Sequence, residues 1–259
     1  MYPNIDIFGH SIPTYGLMAA AGMICGLLFV FFYARRWKID GENAAYIYTG
    51  GLLGCGVGAK LLYLILSAGR IISDVKEHGL LLSFRAHIMG GMVFYGGLLG
   101  AIAGAYIAAR FLKYNLRDYY PALVPGIAVM AGFGRIGCIL TGCCYGARTT
   151  SHFAVIYPEG GTAPAGVPLV PVQLYEAIFE FVMVAVLMLI VRLAPSLRVK
   201  LLSIYCALYA VFRFILEFYR ADKVRGIWGP FSTSQWISIA ILLFLFIKTS
   251  KDARAKMIK

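Results

Sequence analysis

One arginine and three cysteines stand close together in the stretch GRIGCILTGCCYG, residues 134–146. Arg135 follows an apolar run, and Cys138, Cys143 and Cys144 come after it. Charge inside lipid is energetically unfavourable, so an arginine in such a run is by default a functional-site hypothesis. The thiols beside it could ligate a metal, form a disulfide, attack a substrate or simply pack.

A second polar group lies in FRFILEFYR, where Arg213 and Glu217 are four residues apart and therefore share a helix face. Further polar residues fall near the same predicted depth or at the outer edges of other apolar segments: Tyr15, Tyr95, Gln173, Glu176 and Arg220. Several guanidiniums at one depth suit a phosphate, because the planar fork binds phosphate oxygens bidentately. The residues alone predict a phospholipid head group held by arginines, with a carboxylate or tyrosine nearby for proton transfer.

The elements that position these residues are predicted to be membrane helices. The chain is 60% hydrophobic and 14% charged, whereas a soluble domain carries about 25% charged residues. We therefore predict an all-α integral membrane protein forming one transmembrane domain over residues 1–259. Seven apolar segments are long enough to span a bilayer, and they lie near 14–34, 44–66, 91–110, 119–141, 172–192, 200–218 and 234–249. No cofactor is expected.

The basic residues predict the orientation of the chain. The stretches assigned to the cytoplasm carry 14 Lys and Arg residues and the outer stretches carry 7, so the positive-inside rule places the N-terminus outside and the C-terminus inside. Because the net charge of +12 lies mostly in these short loops, it does not indicate nucleic acid. No cleaved signal peptide is expected, and a long outer loop is predicted over 147–171, with a short strand in HFAVIY at 152–157.

Lys60 and a set of glycines are further features of the predicted spans. Lys60 falls within the second apolar segment. Its charge there indicates a functional site, and snorkelling of the side chain from a helix end is the alternative explanation. Two glycine series recur every fourth residue and predict close helix packing, namely Gly50, Gly54 and Gly58, and Gly96, Gly100 and Gly104. The paired Gly96 and Gly97 of GGMVFYGG are a separate case, because bare backbone there could approach a ligand.

These motifs, taken in order, resemble the bacterial prolipoprotein diacylglyceryl transferases. The similarity is carried by IPTYGLM, GAKLLYLIL, GGMVFYGGLLG, GRIGCILTGCCYG, FAVIYPE, PVQLYEA and RFILEFYR. The resemblance implies transfer of the diacylglyceryl group of phosphatidylglycerol to a prolipoprotein cysteine thiol, with release of glycerol phosphate, at the outer face of the bacterial cytoplasmic membrane. Arg135, Arg213, Glu217 and Tyr15 match family motif residues. Lys60 stands where an arginine is usual.

The chain also departs from the family pattern. The family motif FHGG is here FYGG, so Tyr95 replaces a histidine that could accept a thiol proton near pH 7. In the signature of the form GRxGNxxNGExxG, Cys138 and Thr141 replace the two asparagines, and Cys143 replaces the glutamate. The residues that would hold a phosphate match the family, whereas those that would activate the acceptor do not.

The cysteines leave several hypotheses open. Cys25, Cys55 and Cys206 lie within apolar segments and are interpreted as packing residues. For the other three, a metal site, with His152 as a further ligand, is the least favoured because the spacing matches no usual zinc pattern. A Cys138–Cys143 disulfide, a thiolate nucleophile favoured by Arg135, and packing alone are the other hypotheses.

The sequence thus predicts a diacylglyceryl transferase of the outer leaflet that binds a phosphatidylglycerol-like lipid and a prolipoprotein acceptor. One alternative is a paralogue that moves a lipid or head-group fragment to another acceptor, either directly or through a cysteine nucleophile. The other is a non-enzymatic lipid-binding or thiol-redox membrane protein. The predicted catalytic residues are Arg135, Arg213, Glu217, Tyr95, Cys138 and Cys143. The predicted substrate-binding residues are Tyr15, Lys60, Gly96, Gly97, Cys144, Gln173, Glu176 and Arg220. No metal ligands are predicted.

Overall fold

The protein is described by a computed structural model that covers residues 4–7, 10–221 and 226–257. Its nine α-helices within these ranges are α1 (Thr14–Arg36), α2 (Gly41–Leu66), α3 (Ala68–His78), α4 (Leu80–Met89), α5 (Phe94–Phe111), α6 (Tyr120–Thr141), α7 (Val172–Leu193), α8 (Leu201–Leu216) and α9 (Thr233–Met257). Short 3-10 turns occupy Leu116–Tyr119, Pro195–Lys200 and Glu217–Tyr219. Antiparallel strand pairs join β1 (Asn4–Ile7) to β2 (His10–Pro13), β3 (Val155–Ile156) to β4 (Pro168–Leu169), and β5 (Ile227–Trp228) to β6 (Phe231–Ser232).

Within the described ranges, seven helices are long and apolar enough to cross a membrane. They coincide with the seven predicted segments, which confirms the all-α, seven-span fold class. The short helices α3 and α4 were not predicted. They have 11 and 10 residues, well below the roughly 20 that a span requires. Three basic residues of the orientation count, Lys223, Arg225 and Lys259, lie outside the described residues, and the orientation stays a prediction.

The Cα positions divide the chain into two compact units. The first unit comprises Met1–Phe29 and Val124–Lys259, and the second comprises Val30–Leu123. The helices α1 and α6 therefore contribute residues to both. The single-domain organisation inferred from the sequence stays a prediction, and each unit is described below by itself.

Close packing of α2 on α5 organises the second unit. The two glycine series interlock, because a Cβ on Gly54 would meet the carbonyl oxygen of Gly100, and one on Gly58 would meet that of Gly96. Backbones can approach this closely only where small residues face each other. The two glycine series therefore allow α2 to pack closely against α5, as the four-residue repeat predicted.

We expect Gly54→Ala to destabilise the protein by about 1–3 kcal/mol, the range typical of overpacking. The added methyl group would collide with the backbone oxygen of Gly100, which cannot rotate away. Gly56→Ala is the matched control on the same helix, since a Cβ there meets nothing within 4 Å. Denaturant unfolding in mixed micelles measures both variants. Equal stability of the two variants would contradict the packing described here.

The loop between α6 and α7 forms a small folded layer in the first unit. The strand β3 pairs with β4, Arg148 bridges to Leu169, and Tyr157 bridges to Ala165. Beneath this pairing, the side chains of Tyr157, Ala163 and Leu169 form a buried apolar cluster. The predicted strand at 152–157 is therefore present, although it occupies only Val155–Ile156.

Candidate active site

The carboxylate of Glu176 lies among three guanidiniums in the first unit. Its oxygens are 3.2 Å from Arg135 Nη1, 3.6 Å from Arg220 Nη1 and 3.9 Å from Arg213 Nε. The Glu176 side chain is only 1% exposed. A buried carboxylate persists only when opposite charges compensate for its lost hydration. Glu176 therefore holds the three arginines in one group.

A second carboxylate completes this group. Glu217 Oε2 is 2.6 Å from Arg213 Nη2, which confirms the ion pair expected from the four-residue spacing. Ser234 of α9 accepts a further hydrogen bond from Arg213 Nη2 at 3.3 Å. The five charged side chains, three arginines and two glutamates, together retain one formal positive charge. We call them the arginine cluster, and they are Arg135, Glu176, Arg213, Glu217 and Arg220.

Four elements contribute to the arginine cluster, namely α6, α7, α8 and the 3-10 turn that follows α8. On α7, Val172, Gln173, Glu176 and Glu180 are buried at helical spacing, so one face of the helix carries polar groups inward. Arg220 follows the 3-10 turn that ends α8, and its backbone bridges to Gly146. A Cβ on Gly146 would strike the carbonyl oxygen of Val170. Glycine is therefore required where the signature segment approaches the start of α7.

Several buried polar atoms at the site have no hydrogen-bond partner among the described residues, and Arg213 Nη1 and Gln173 Oε1 are two of them. A buried donor without a partner is unfavourable by about 1–3 kcal/mol, and by more for a charged group. Arg213 Nη1 is therefore a donor available to a bound anion.

The three cysteines of the signature converge beside the cluster. The Sγ atoms of Cys138, Cys143 and Cys144 all lie within 4.8 Å of one another. The chain reverses after α6 through two left-handed residues, Gly142 at φ 71° and Cys144 at φ 59°. A non-glycine residue held in this region typically stores about 1–3 kcal/mol of strain. The turn brings Cys143 and Cys144 back toward Cys138.

These cysteines are distinct in chemistry as well as in position. None of the six cysteines forms a disulfide, so the disulfide considered from the sequence is not formed in this structure. Hydrogen bonds from the Cys138 and Cys143 thiols, together with the nearby Arg220 guanidinium, hold the pKa of Cys144 well below its usual range. Thr141 Oγ1 lies 3.4 Å from Cys143 Sγ, within hydrogen-bond range. His152 is not part of the three-sulfur group.

Gln173 and Tyr157 fix the segment that carries the cysteines. Gln173 Nε2 donates to the Cys143 carbonyl oxygen at 2.7 Å and to the Tyr157 hydroxyl at 3.0 Å. Burial raises the pKa of the Tyr157 phenol, so it stays protonated at neutral pH. Tyr15, at the start of α1, lies beside Gly137 on α6, where an added Cβ would be 3.2 Å from Tyr15 Cδ2. The first unit thus brings Tyr15, Gln173, the three cysteines and the arginine cluster into one region.

Comparison with known proteins decides the family. The family model described as prolipoprotein diacylglyceryl transferase matches residues 4–249. The chain belongs to the prolipoprotein diacylglyceryl transferase family. A Clostridium perfringens relative, phosphatidylglycerol–prolipoprotein diacylglyceryl transferase 2, is 38% identical over 241 residues, which is 92% of this chain and 90% of the relative.

Other members of the prolipoprotein diacylglyceryl transferase family are similar over comparable lengths. The Clostridium tetani phosphatidylglycerol–prolipoprotein diacylglyceryl transferase is 32% identical, with 93% of this chain and 94% of the relative covered. The Geobacter sulfurreducens protein of the same name is 33% identical, with 93% of each chain covered. With seven apolar helices and bacterial relatives, the chain is a multi-pass bacterial membrane protein and a transferase of this family.

The remaining predicted site residues of this family member lie in the second unit. Lys60 Nζ donates to the carbonyl oxygens of His87 at 2.7 Å, Gly91 at 3.4 Å and Gly90. These bonds account for its three donors. Gly96 and Gly97 pack against α2, where a Cβ on Gly97 would be 3.1 Å from Cys55 Sγ. The substrate-binding roles of these three residues stay predictions.

Tyr95 is also in the second unit, at the start of α5. Its side chain is about half exposed, and its ring makes an edge contact with the ring of Phe94 at a centroid distance of 5.7 Å. An exposed tyrosine at a helix start is common at a membrane interface. The catalytic role expected from the sequence stays a prediction.

Several residues of the site were not predicted from the sequence, or their place in it was understated. Glu176 was interpreted as an edge residue, whereas it lies between three arginines. Ser234, which accepts a hydrogen bond from Arg213, was not predicted. Glu180, whose carboxylate accepts a hydrogen bond from the Tyr205 hydroxyl at 2.9 Å, was not predicted either. An available signal was the pair of acids four residues apart inside one apolar segment, because intramembrane carboxylates mark functional sites as arginines do.

Proposed function

We propose that this chain transfers the diacylglyceryl group of phosphatidylglycerol to the cysteine thiol of a prolipoprotein and releases glycerol phosphate. The names of the relatives give these two substrates, and the family match extends over nearly the whole chain. The single observation that carries the proposal is the arginine cluster, with its unsatisfied Arg213 Nη1 atom. A phosphodiester supplies the acceptor oxygens that this buried donor lacks.

The arrangement supports a division of labour among the charged groups. Arg213 and Arg135 bind the phosphate oxygens, while Glu176 and Glu217 fix the guanidiniums in place. As the C–O bond between the diacylglyceryl carbon and the phosphate breaks, negative charge grows on the leaving glycerol phosphate. Donors that are already oriented stabilise this charge without reorganising, and this accelerates the reaction.

The location of the reaction is part of the same proposal. We place the chain in the bacterial cytoplasmic membrane, with the N-terminus outside, the C-terminus inside and the site opening to the outer leaflet. The excess of Lys and Arg in the stretches assigned to the cytoplasm supports this orientation. The signature end of α6, the start of α7 and Arg220 would then lie on the outer side.

A transfer assay tests the proposed function. Purified protein in micelles is incubated with phosphatidylglycerol labelled in its acyl chains and with a lipobox peptide, and the peptide mass is measured. We expect the peptide to gain one diacylglyceryl group, and a peptide with serine in place of its cysteine to gain none. Lipid turnover without peptide labelling would favour a different acceptor, and the absence of any turnover would contradict transferase activity on this lipid.

A further inference from the structure

The three cysteines that follow Arg135 have the geometry of a ligand set. Their Sγ atoms lie within 4.8 Å of one another, with Cys138 buried and the other two partly buried. In a tetrahedral zinc site with Zn–S bonds of about 2.3 Å, neighbouring sulfurs are about 3.8 Å apart. Closing the remaining gap of about 1 Å at most requires only small side-chain rotations.

The surroundings of the sulfurs also suit such a site. Thr141 Oγ1 lies within hydrogen-bond range of Cys143 Sγ, and Gln173 holds the backbone of Cys143 through its carbonyl oxygen. Hydrogen bonds of this kind orient metal ligands. Arg220 lies beside Cys144 and offsets part of the negative charge that three thiolates would bring. The spacing in the sequence gave no zinc pattern, because the left-handed turn at Gly142 and Cys144 creates the cluster.

We propose that Cys138, Cys143 and Cys144 bind one zinc ion and leave a fourth position open to the acceptor thiol. Three thiolates select a thiophilic ion, and three protein ligands with one open position are the arrangement of catalytic zinc. The inference about the acceptor rests on the proposed function. The inference about the ion rests only on the three sulfurs.

The step that the ion supports is balanced without any oxidant or reductant. The acceptor thiol binds the open position as a thiolate and releases its proton to water, since coordination deprotonates a thiol. Its sulfur lone pair then forms the C–S bond to the glyceryl carbon. The C–O bond to the phosphate breaks, and glycerol phosphate leaves with that electron pair on its oxygen. The ion thereby activates the acceptor thiol as the nucleophile.

Metal binding tests the ion directly. Metal-free, reduced protein in micelles is titrated with Zn²⁺, bound zinc is measured by elemental analysis, and Cd²⁺ titration reports thiolate charge-transfer absorbance. We expect one ion per chain. Because loss of an outer hydrogen bond alone weakens metal sites by about 10–100-fold, loss of a ligand in C138S, C143S or C144S should weaken binding by roughly 100-fold or more. The control C206S changes a partly buried thiol of α8 outside the cluster, and should bind as the wild type does.

The outcomes separate this inference from the proposed function. The metal site would be overturned, even if lipid transfer proceeds, by any of three results. These are the absence of stoichiometric zinc, equal zinc binding by the triple serine variant, and cadmium absorbance that persists in that variant. Oxidation of the thiols to a disulfide in place of zinc binding would overturn it as well. Zinc bound by the wild type with no transfer to any thiol would support the ion and contradict the proposed function. Transfer that is unchanged after verified zinc removal would overturn the acceptor position.

Discussion

Glu176→Gln is expected to lower the free energy of unfolding by about 3–5 kcal/mol, the range for removing one partner of a buried ion pair. The carboxylate is nearly fully buried and faces three guanidiniums. Glutamine keeps the size of the side chain and removes the charge. Arg135, Arg213 and Arg220 would then repel one another, with only Glu217 left as a carboxylate of the cluster. Denaturant titration of the purified protein in mixed micelles measures the change.

The matched control is Glu159→Gln, which removes the same charge from an exposed position in the loop between α6 and α7. Surface charges of this kind contribute about 0–1 kcal/mol, so this variant should unfold with the wild type. Glu176→Asp keeps the charge on a shorter side chain and should fall between the two. A fully stable Glu176→Gln protein would show that the carboxylate does not hold the arginines together.

Arg213→Lys is expected to lower the rate of lipid transfer by about 100- to 1,000-fold, the loss seen when one oriented donor to a developing oxyanion is removed. Lysine keeps the positive charge and the pairing with Glu217, but it lacks the planar fork. The Nη1 donor, which has no hydrogen-bond partner within the described part of the chain, is lost. Initial rates at saturating phosphatidylglycerol measure the effect on the chemical step.

The control for this exchange is Arg148→Lys, at an exposed position in the loop between α6 and α7. Its rate should match that of the wild type, because Arg148 lies outside the arginine cluster. The unfolding free energy of Arg213→Lys is measured alongside, so that a stability loss is not mistaken for a catalytic one. A stable Arg213→Lys protein with an unchanged rate would remove Arg213 from the phosphate site.

The membrane helices could be predicted from the sequence because each rests on local information. An apolar run of about 20 residues forms an α-helix in lipid, because a helix satisfies every backbone polar group within the segment. The pairing of Arg213 with Glu217 was predictable for the same reason, since one helical turn separates them. The helices α3 and α4 escaped prediction because their short, mixed sequences carry no spanning signal.

The arrangement of the site depends on contacts that the sequence does not display. Glu176 is separated from Arg135 and Arg220 by about 40 residues of chain in each direction, and no periodic pattern links them. The spacing of the three cysteines in the sequence is irregular and does not show that they are close in space. They come together because the chain reverses at Gly142 and Cys144, which both have left-handed backbone conformations. Lys60 is a separate case, because its intramembrane charge predicted a substrate contact, and its contacts within the described residues are to backbone oxygens. Its substrate-binding role stays a prediction.

The central claim is that the arginine cluster holds the phosphate of the same lipid molecule that gives up its diacylglyceryl group. Each transfer to a peptide must then release one glycerol phosphate. Released glycerol phosphate and thioether-linked diacylglyceryl peptide are therefore quantified in the same reaction, with phosphatidylglycerol and a lipobox peptide as the only substrates. We predict a one-to-one ratio throughout the time course in the wild type, and loss of both products together in Arg213→Lys. Two results would contradict the role of the arginine cluster in transfer. One is glycerol phosphate formed without alkylated peptide, and the other is peptide alkylated by Arg213→Lys at the wild-type rate.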